Sequence, residues 1–142
     1  MFRKDYIQRQ FEEFGKVMAV ILGFKKNNEL AKFELEIEEA VKSFTGLEIK
    51  ELLNLNSNAF KELFSQSDHF KPDQIKILAD LLYEQAFVFE TAKNDAKLRE
   101  AMAKAYFLYE WYTANLTANE FNIEINYRMN LIGKIINPPN RQ

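Results

Sequence analysis

His69 is the single histidine of the chain. Imidazole is the one side chain whose ordinary pKa lies near neutrality, so acid–base chemistry would recruit it first. It stands in the polar segment SDHFKP, beside Asp68 and just ahead of a helix start. No nucleophile motif accompanies it: the glycines lie only at 15, 23, 46 and 133, so GxSxG, Walker A and GxGxxG patterns are all absent. The lack of cysteine removes disulfides, thiolate metal sites and thiol nucleophiles. His69 therefore reads as a solvated loop histidine, and no catalytic residue is assigned.

The carboxylates do not assemble a metal site on paper either. Di-metal helical bundles take a Glu from each of two helices and a Glu-x-x-His from each of the other two. One histidine cannot supply two such motifs, and Glu84, Glu90 and Glu110 lack a histidine partner. Glu34, Glu36, Glu38 and Glu39 read as the solvated face of a helix, with Glu38 and Lys42 spaced for an i,i+4 pair. Neither a metal nor a cofactor is expected. The most conspicuous local feature is the run AYFLYEWY, in which Tyr106, Phe107, Tyr109, Trp111 and Tyr112 nearly encircle one helix. Large aromatics dominate core burial, whereas Tyr and Trp with one wet end suit interfaces. Trp111 and Tyr112 are the members that could line a groove or a dimer contact.

These side chains must be positioned by helices. Ile7, Phe11, Phe14, Met18 and Ile21 form an apolar stripe at three- and four-residue spacing, widened by Val17, Val20 and Leu22. That stripe faces a partner helix or, alternatively, a second copy of the chain as a dimer seam. Gly23 is placed to end the helix with Lys25 and Lys26 beyond it. Asn28 is placed to cap a second helix with Leu30, Phe33, Ile37, Val41 and Phe44 inside, closed by Gly46. The expected units are an N-terminal hairpin over 4–45, short helices within 47–65 with Ser57 as a cap, a hairpin over 72–116 and a final helix over 118–136. Pro72 suits a first helical position and Asp73 a first turn. The helix after Pro72 is apolar nearly all round, which marks it as central. Thr117 to Glu120 reads as a capping box and outweighs the brief alternation from Asn122 to Tyr127. The fold class is all-α: a bundle or array of antiparallel helical hairpins in one domain.

Composition agrees and narrows the functional classes. A chain of 142 residues with 47% apolar content can bury a real core. Roughly 68–70% of the unfolded surface is covered at this size. The net charge of −2, with only Arg3-Lys4 and Lys25-Lys26 as basic clusters, argues against nucleic acid. The apolar run from Val17 to Phe24 follows Glu12-Glu13 and is too short for a secretory signal or a spanning helix. A cytoplasmic protein without membrane contact is expected.

The segment from Leu82 to Ala105 resembles one tetratricopeptide repeat. Ala86 takes the small position of its first helix and Phe89 the aromatic one. Asn94-Asp95 takes the turn, with Leu98, Met102 and Ala105 inside the second helix. The turn glycine is replaced by Lys93, the closing alanine by Leu98, and the terminal proline is missing. The chain as a whole is similar to a family of small uncharacterised bacterial proteins. The similarity runs through DYIQRQFEEFGKVMAVILGFKK, GLEIKELLNL and the hairpin after Pro72; it implies the fold and a bacterial cytoplasmic origin, and no activity. The tetratricopeptide resemblance implies that the first hairpin helix lines a concave surface, where Asp80, Tyr83, Phe87 and Glu90 share a stripe. Aromatics flanked by carboxylates suit a peptide with apolar and basic character. The expectation is a non-catalytic module binding a protein, a peptide or its own copy. The alternative is a small-molecule binder or enzyme with a pocket between helices.

Overall fold

A computed structural model describes residues 2–65, 69–115 and 122–137. Among these residues the chain forms α1 (Phe2–Lys26), α2 (Leu30–Thr45), α3 (Ile49–Asn54), α4 (Ser57–Ser65), α5 (Pro72–Thr91), α6 (Asp95–Ala114) and α7 (Ile123–Ile136), and no strand. The all-α array of hairpins is therefore observed, and no described helix is long and apolar enough to cross a membrane.

α5 is the hub. It packs against α6 along its length and also against α2 and α1. Ile75, Ile77, Leu78, Leu81, Leu82 and Ala86 are all buried, because a helix apolar on every side needs neighbours on every side. α1 pairs with α2, α4 and α7 lie on α6, and α3 leans on α2. Pro72 opens α5, and Gln74 Oε1 accepts the Lys71 N–H at 2.9 Å, while Gln74 Nε2 donates to the Phe44 carbonyl at 3.1 Å and ties α5 to the end of α2. Asp73 is buried in the first turn, where the positive end of the helix favours a carboxylate.

Several helix ends differ from the sequence expectation. α1 runs through Gly23 to Lys26, and the left-handed residue that ends it is Asn28, at φ 58°. The Glu29 N–H reaches the Phe24 carbonyl at 2.9 Å and the Asn28 N–H reaches Lys25 at 3.2 Å, a Schellman closure. Asn28 therefore finishes α1 instead of capping α2, whose N-cap Glu29 makes no side-chain cap bond. A short polar side chain tolerates this backbone, so Asn28 could replace glycine. Gly46 does close α2, at φ 77°, with its N–H on the Lys42 carbonyl. Asn56, not Ser57, caps α4, its Oδ1 accepting the Ala59 N–H at 2.8 Å. Glu38 and Lys42 do not pair with each other; Lys42 meets Glu48 at 3.1 Å and Lys50 meets Glu38 at 3.9 Å, because α3 folds back beside α2. Val20 and Leu22 are exposed, while Phe14 and Ile21 of the same helix are buried within the chain. Phe14 and Ile21 of the stripe proposed as a dimer seam thus pack within the chain, where α1 meets α2 and α5 and Phe14 lies edge-on to Phe44 at 5.6 Å, while Ile7, Phe11 and Met18 are half-buried. The Thr117–Glu120 box lies outside the described residues; Asn122 caps α7, accepting the Ile125 N–H at 3.0 Å.

The α5–α6 turn repeats the closure of α1. Lys93 sits at φ 57°, the Asn94 N–H bonds the Phe89 carbonyl at 2.9 Å, and the Lys93 N–H bonds Glu90 at 3.0 Å. A left-handed conformation costs an L-residue about 1–2 kcal/mol, and glycine gives back part of this through its unfolded-state freedom. Lys93→Gly is expected to raise stability by about 0.5–1 kcal/mol, read as a higher urea midpoint. An unchanged midpoint would show that the turn is unstrained.

Candidate functional site

α5 is apolar yet carries charged residues that the fold buries, and each ion-paired one reaches a different neighbour. Asp80, on the side toward α6 and α7, accepts a hydrogen bond from the Tyr109 hydroxyl. Its carboxylate also pairs with Lys76 Nζ at 2.6 Å and with Arg128 Nη1 at 2.6 Å. Arg128 donates to the Tyr109 oxygen at 3.0 Å, pairs with Glu124 at 3.0 Å and lies 4.9 Å above the Tyr83 ring. One turn along α5, Glu84 is buried and pairs with Lys25 of α1 at 3.0 Å. Lys25 in turn lies 4.9 Å over Phe87, whose ring meets Phe33 edge-on at 5.6 Å.

The stripe expected on a concave surface is therefore distributed among helix contacts. Asp80 is buried under Arg128 of α7, Tyr83 is half-buried beneath the same guanidinium, and Phe87 packs under α1 and α2; Glu90 is exposed. Trp111 and Tyr112 are half-buried against the core, and Tyr109 is the aromatic of that run which is wholly enclosed. His69 is exposed in the turn before Pro72. Among the described residues no group of three His, Cys, Asp or Glu side chains is placed to hold a metal ion.

Burial, reinforced by the Asp80 charge, pushes the Tyr109 phenol well above its ordinary value. Unfolding returns it to near 10, so above that pH the unfolded chain sheds a proton that the folded chain keeps. The stabilisation is complete below the unfolded value and declines as pH rises toward the folded one. Tyr109→Phe is expected to remove this alkaline loss, measured as urea midpoints between about pH 8 and 11. An identical alkaline slope in the variant would discount Tyr109 as its source. Burial also raises the Tyr83 phenol, with Arg128 pulling the other way.

An open concavity lies elsewhere among the described residues. A groove of about 790 Å³ runs between the α3–α4 corner and α6, bordered by Phe89 of α5 and Ile136 of α7. Tyr106 and Phe107 give it an aromatic wall with Phe60 buried behind, and Lys50, Lys61, Lys97, Lys104, Glu100 and Glu110 also line it. Lys61 lies 5.8 Å over Phe107, Lys97 5.9 Å over Phe89 and Lys104 5.7 Å over Phe60. Ammonium groups at these distances are held weakly by the ring faces.

No family model matches the chain, and no curated protein or solved structure is significantly similar to it. The site must be read from its own chemistry.

None of the six residues singled out from the sequence lines the groove, although Tyr106 and Phe107 belong to the aromatic run that was. One signal was available. Lys104 interrupts the inner apolar positions Ala101, Ala105 and Leu108 of α6, all of them buried, and a cation embedded in such a stripe asks for a partner.

Proposed function

We propose that the protein is a non-catalytic helical binding module that takes an acidic, apolar peptide segment in the groove between α3–α4 and α6. The carrying observation is the excess of lysine over glutamate around an aromatic wall: Lys50, Lys61, Lys97 and Lys104 against Glu100 and Glu110. A volume near 790 Å³ falls in the range of about 300–1,000 Å³ common for ligand sites, and grooves of this kind accept the apolar face of a peptide. Charge complementarity then selects an acidic segment, not the basic one suited to the α5 stripe. In this reading the tetratricopeptide-like hairpin is the scaffold, and its second helix presents the recognition surface. A cytoplasmic location goes with the absence of cysteine.

The test is selection of random-sequence displayed peptides on the immobilised chain. Enriched sequences are expected to combine Asp or Glu with Leu, Ile or aromatic residues. Ala103 is exposed and lines the groove, so Ala103→Trp should block it without disturbing the core, and enrichment should vanish. No enrichment, or enrichment that survives Ala103→Trp, overturns the proposal.

A further inference from the structure

Four lysines line the groove, but only one is buried. Lys104 is 6% exposed, whereas Lys50, Lys61 and Lys97 stand in solvent. Its Nζ donates to the Leu53 carbonyl of α3 at 2.9 Å. That carbonyl belongs to the last turn of α3, where a cation is favoured. No carboxylate forms an ion pair with Lys104 among the described residues, unlike buried Asp80 and Glu84, which both have counterions. An ammonium carries three donors, and the protein supplies this one with a single acceptor. Burial holds it below its ordinary pKa, with Glu100 opposing. A buried cation with no counterion is costly, and the cost is recovered when an anion arrives.

We infer that Lys104 is the anchoring site for a carboxylate of the bound segment, an Asp or Glu side chain carried beside an apolar residue that packs on the wall at Tyr106 and Phe107. The inference rests on the groove reading and names the feature its ligand must have. Lys61 and Lys97 contribute a diffuse, screened attraction at the rim, whereas Lys104 pairs in a desolvated corner where one carboxylate counts for most.

The experiment repeats the peptide selection on Lys104→Met, which keeps the length and apolar stem and removes a charge the fold buries unpaired. Peptides enriched on the unaltered chain are then titrated by fluorescence anisotropy. Lys104→Met is expected to weaken them at least about tenfold. Lys104→Arg restores part of the loss, and Lys61→Met changes affinity no more than about threefold. Replacing the peptide's acidic residue by its amide should weaken binding to the unaltered chain and leave binding to Lys104→Met unchanged. If groove-dependent peptides lose equally from the amide exchange on Lys104→Met, the role of Lys104 falls while the groove reading stands; if they carry no acidic residue, both fall. If nothing is enriched, or Ala103→Trp is without effect, the groove reading fails and the inference with it. Circular dichroism melts of the Met and Arg variants separate lost binding from lost folding.

Discussion

Asp80→Ala is expected to destabilise the protein by about 3–5 kcal/mol, the range found when one partner of a buried ion pair is removed. The Asp80 side chain is 4% exposed, and those of Lys76 and Arg128 are 15% and 17% exposed. Truncation takes the carboxylate from Lys76 and from the Tyr109 hydroxyl, and leaves Arg128 with Glu124 and the Tyr109 oxygen as its partners. A domain of this size has a total stability of about 5–15 kcal/mol, so the loss is a large share of it. Urea unfolding of Asp80→Ala, Arg128→Met and the double variant would measure the coupling. The double variant should be more stable than the two separate losses predict, because it no longer holds a guanidinium deprived of Asp80. A loss below about 1 kcal/mol for Asp80→Ala would mean that the cluster is solvated in solution.

The second large effect concerns the joint between the N-terminal hairpin and the hub. Phe33 of α2 is wholly buried and meets Phe87 of α5 edge-on at 5.6 Å. Phe33→Ala removes a ring from a closed interface and leaves a cavity, which costs about 3–5 kcal/mol in comparable cores. Two positions along the same helix, Leu35 is 54% exposed, and Leu35→Ala should stay within about 0.5 kcal/mol. The contrast is the measurement: equal midpoints for the two variants would show that α2 does not pack on α5 as described. It also bears on Phe87, whose ring faces Phe33 and Lys25 and is therefore engaged by the fold.

The buried charges on α5 also explain why an otherwise uniform apolar helix has a defined setting among its neighbours. Hydrophobic burial is non-directional, and Ile75, Leu78 and Leu82 would tolerate small rotations of their partners. Glu84 is satisfied by the approach that brings Lys25 to 3.0 Å, and Asp80 by the one that brings Arg128 to 2.6 Å. One pair orients α1 and the other α7. A buried ion pair adds little to stability over an apolar replacement, and fixing a register is its best-attested use.

By itself the sequence determined the helices and their order. Periodic apolar residues such as Phe33, Ile37 and Val41, the breaks at Gly46 and Pro72, and the apolar circumference of α5 are local properties of spacing and backbone preference. They were legible because a helix writes its buried face into every third or fourth residue. Helix ends were less legible: Asn28 and Lys93 hold left-handed backbone that glycine usually takes, since closing hydrogen bonds can outweigh a residue's own preference. What only the tertiary structure decided was which charged residues meet. Asp80 and Arg128 are far apart along the chain, and no periodicity links a carboxylate on one helix to a guanidinium on another. The same holds for the groove, because Leu53, Phe60 and Lys104 come together only when the α3–α4 corner folds over α6. Lys104 shows the limit most clearly. Its place in an apolar stripe could be read from the sequence, but that it is buried without an ion-paired carboxylate among the described residues is a fact about neighbours in space.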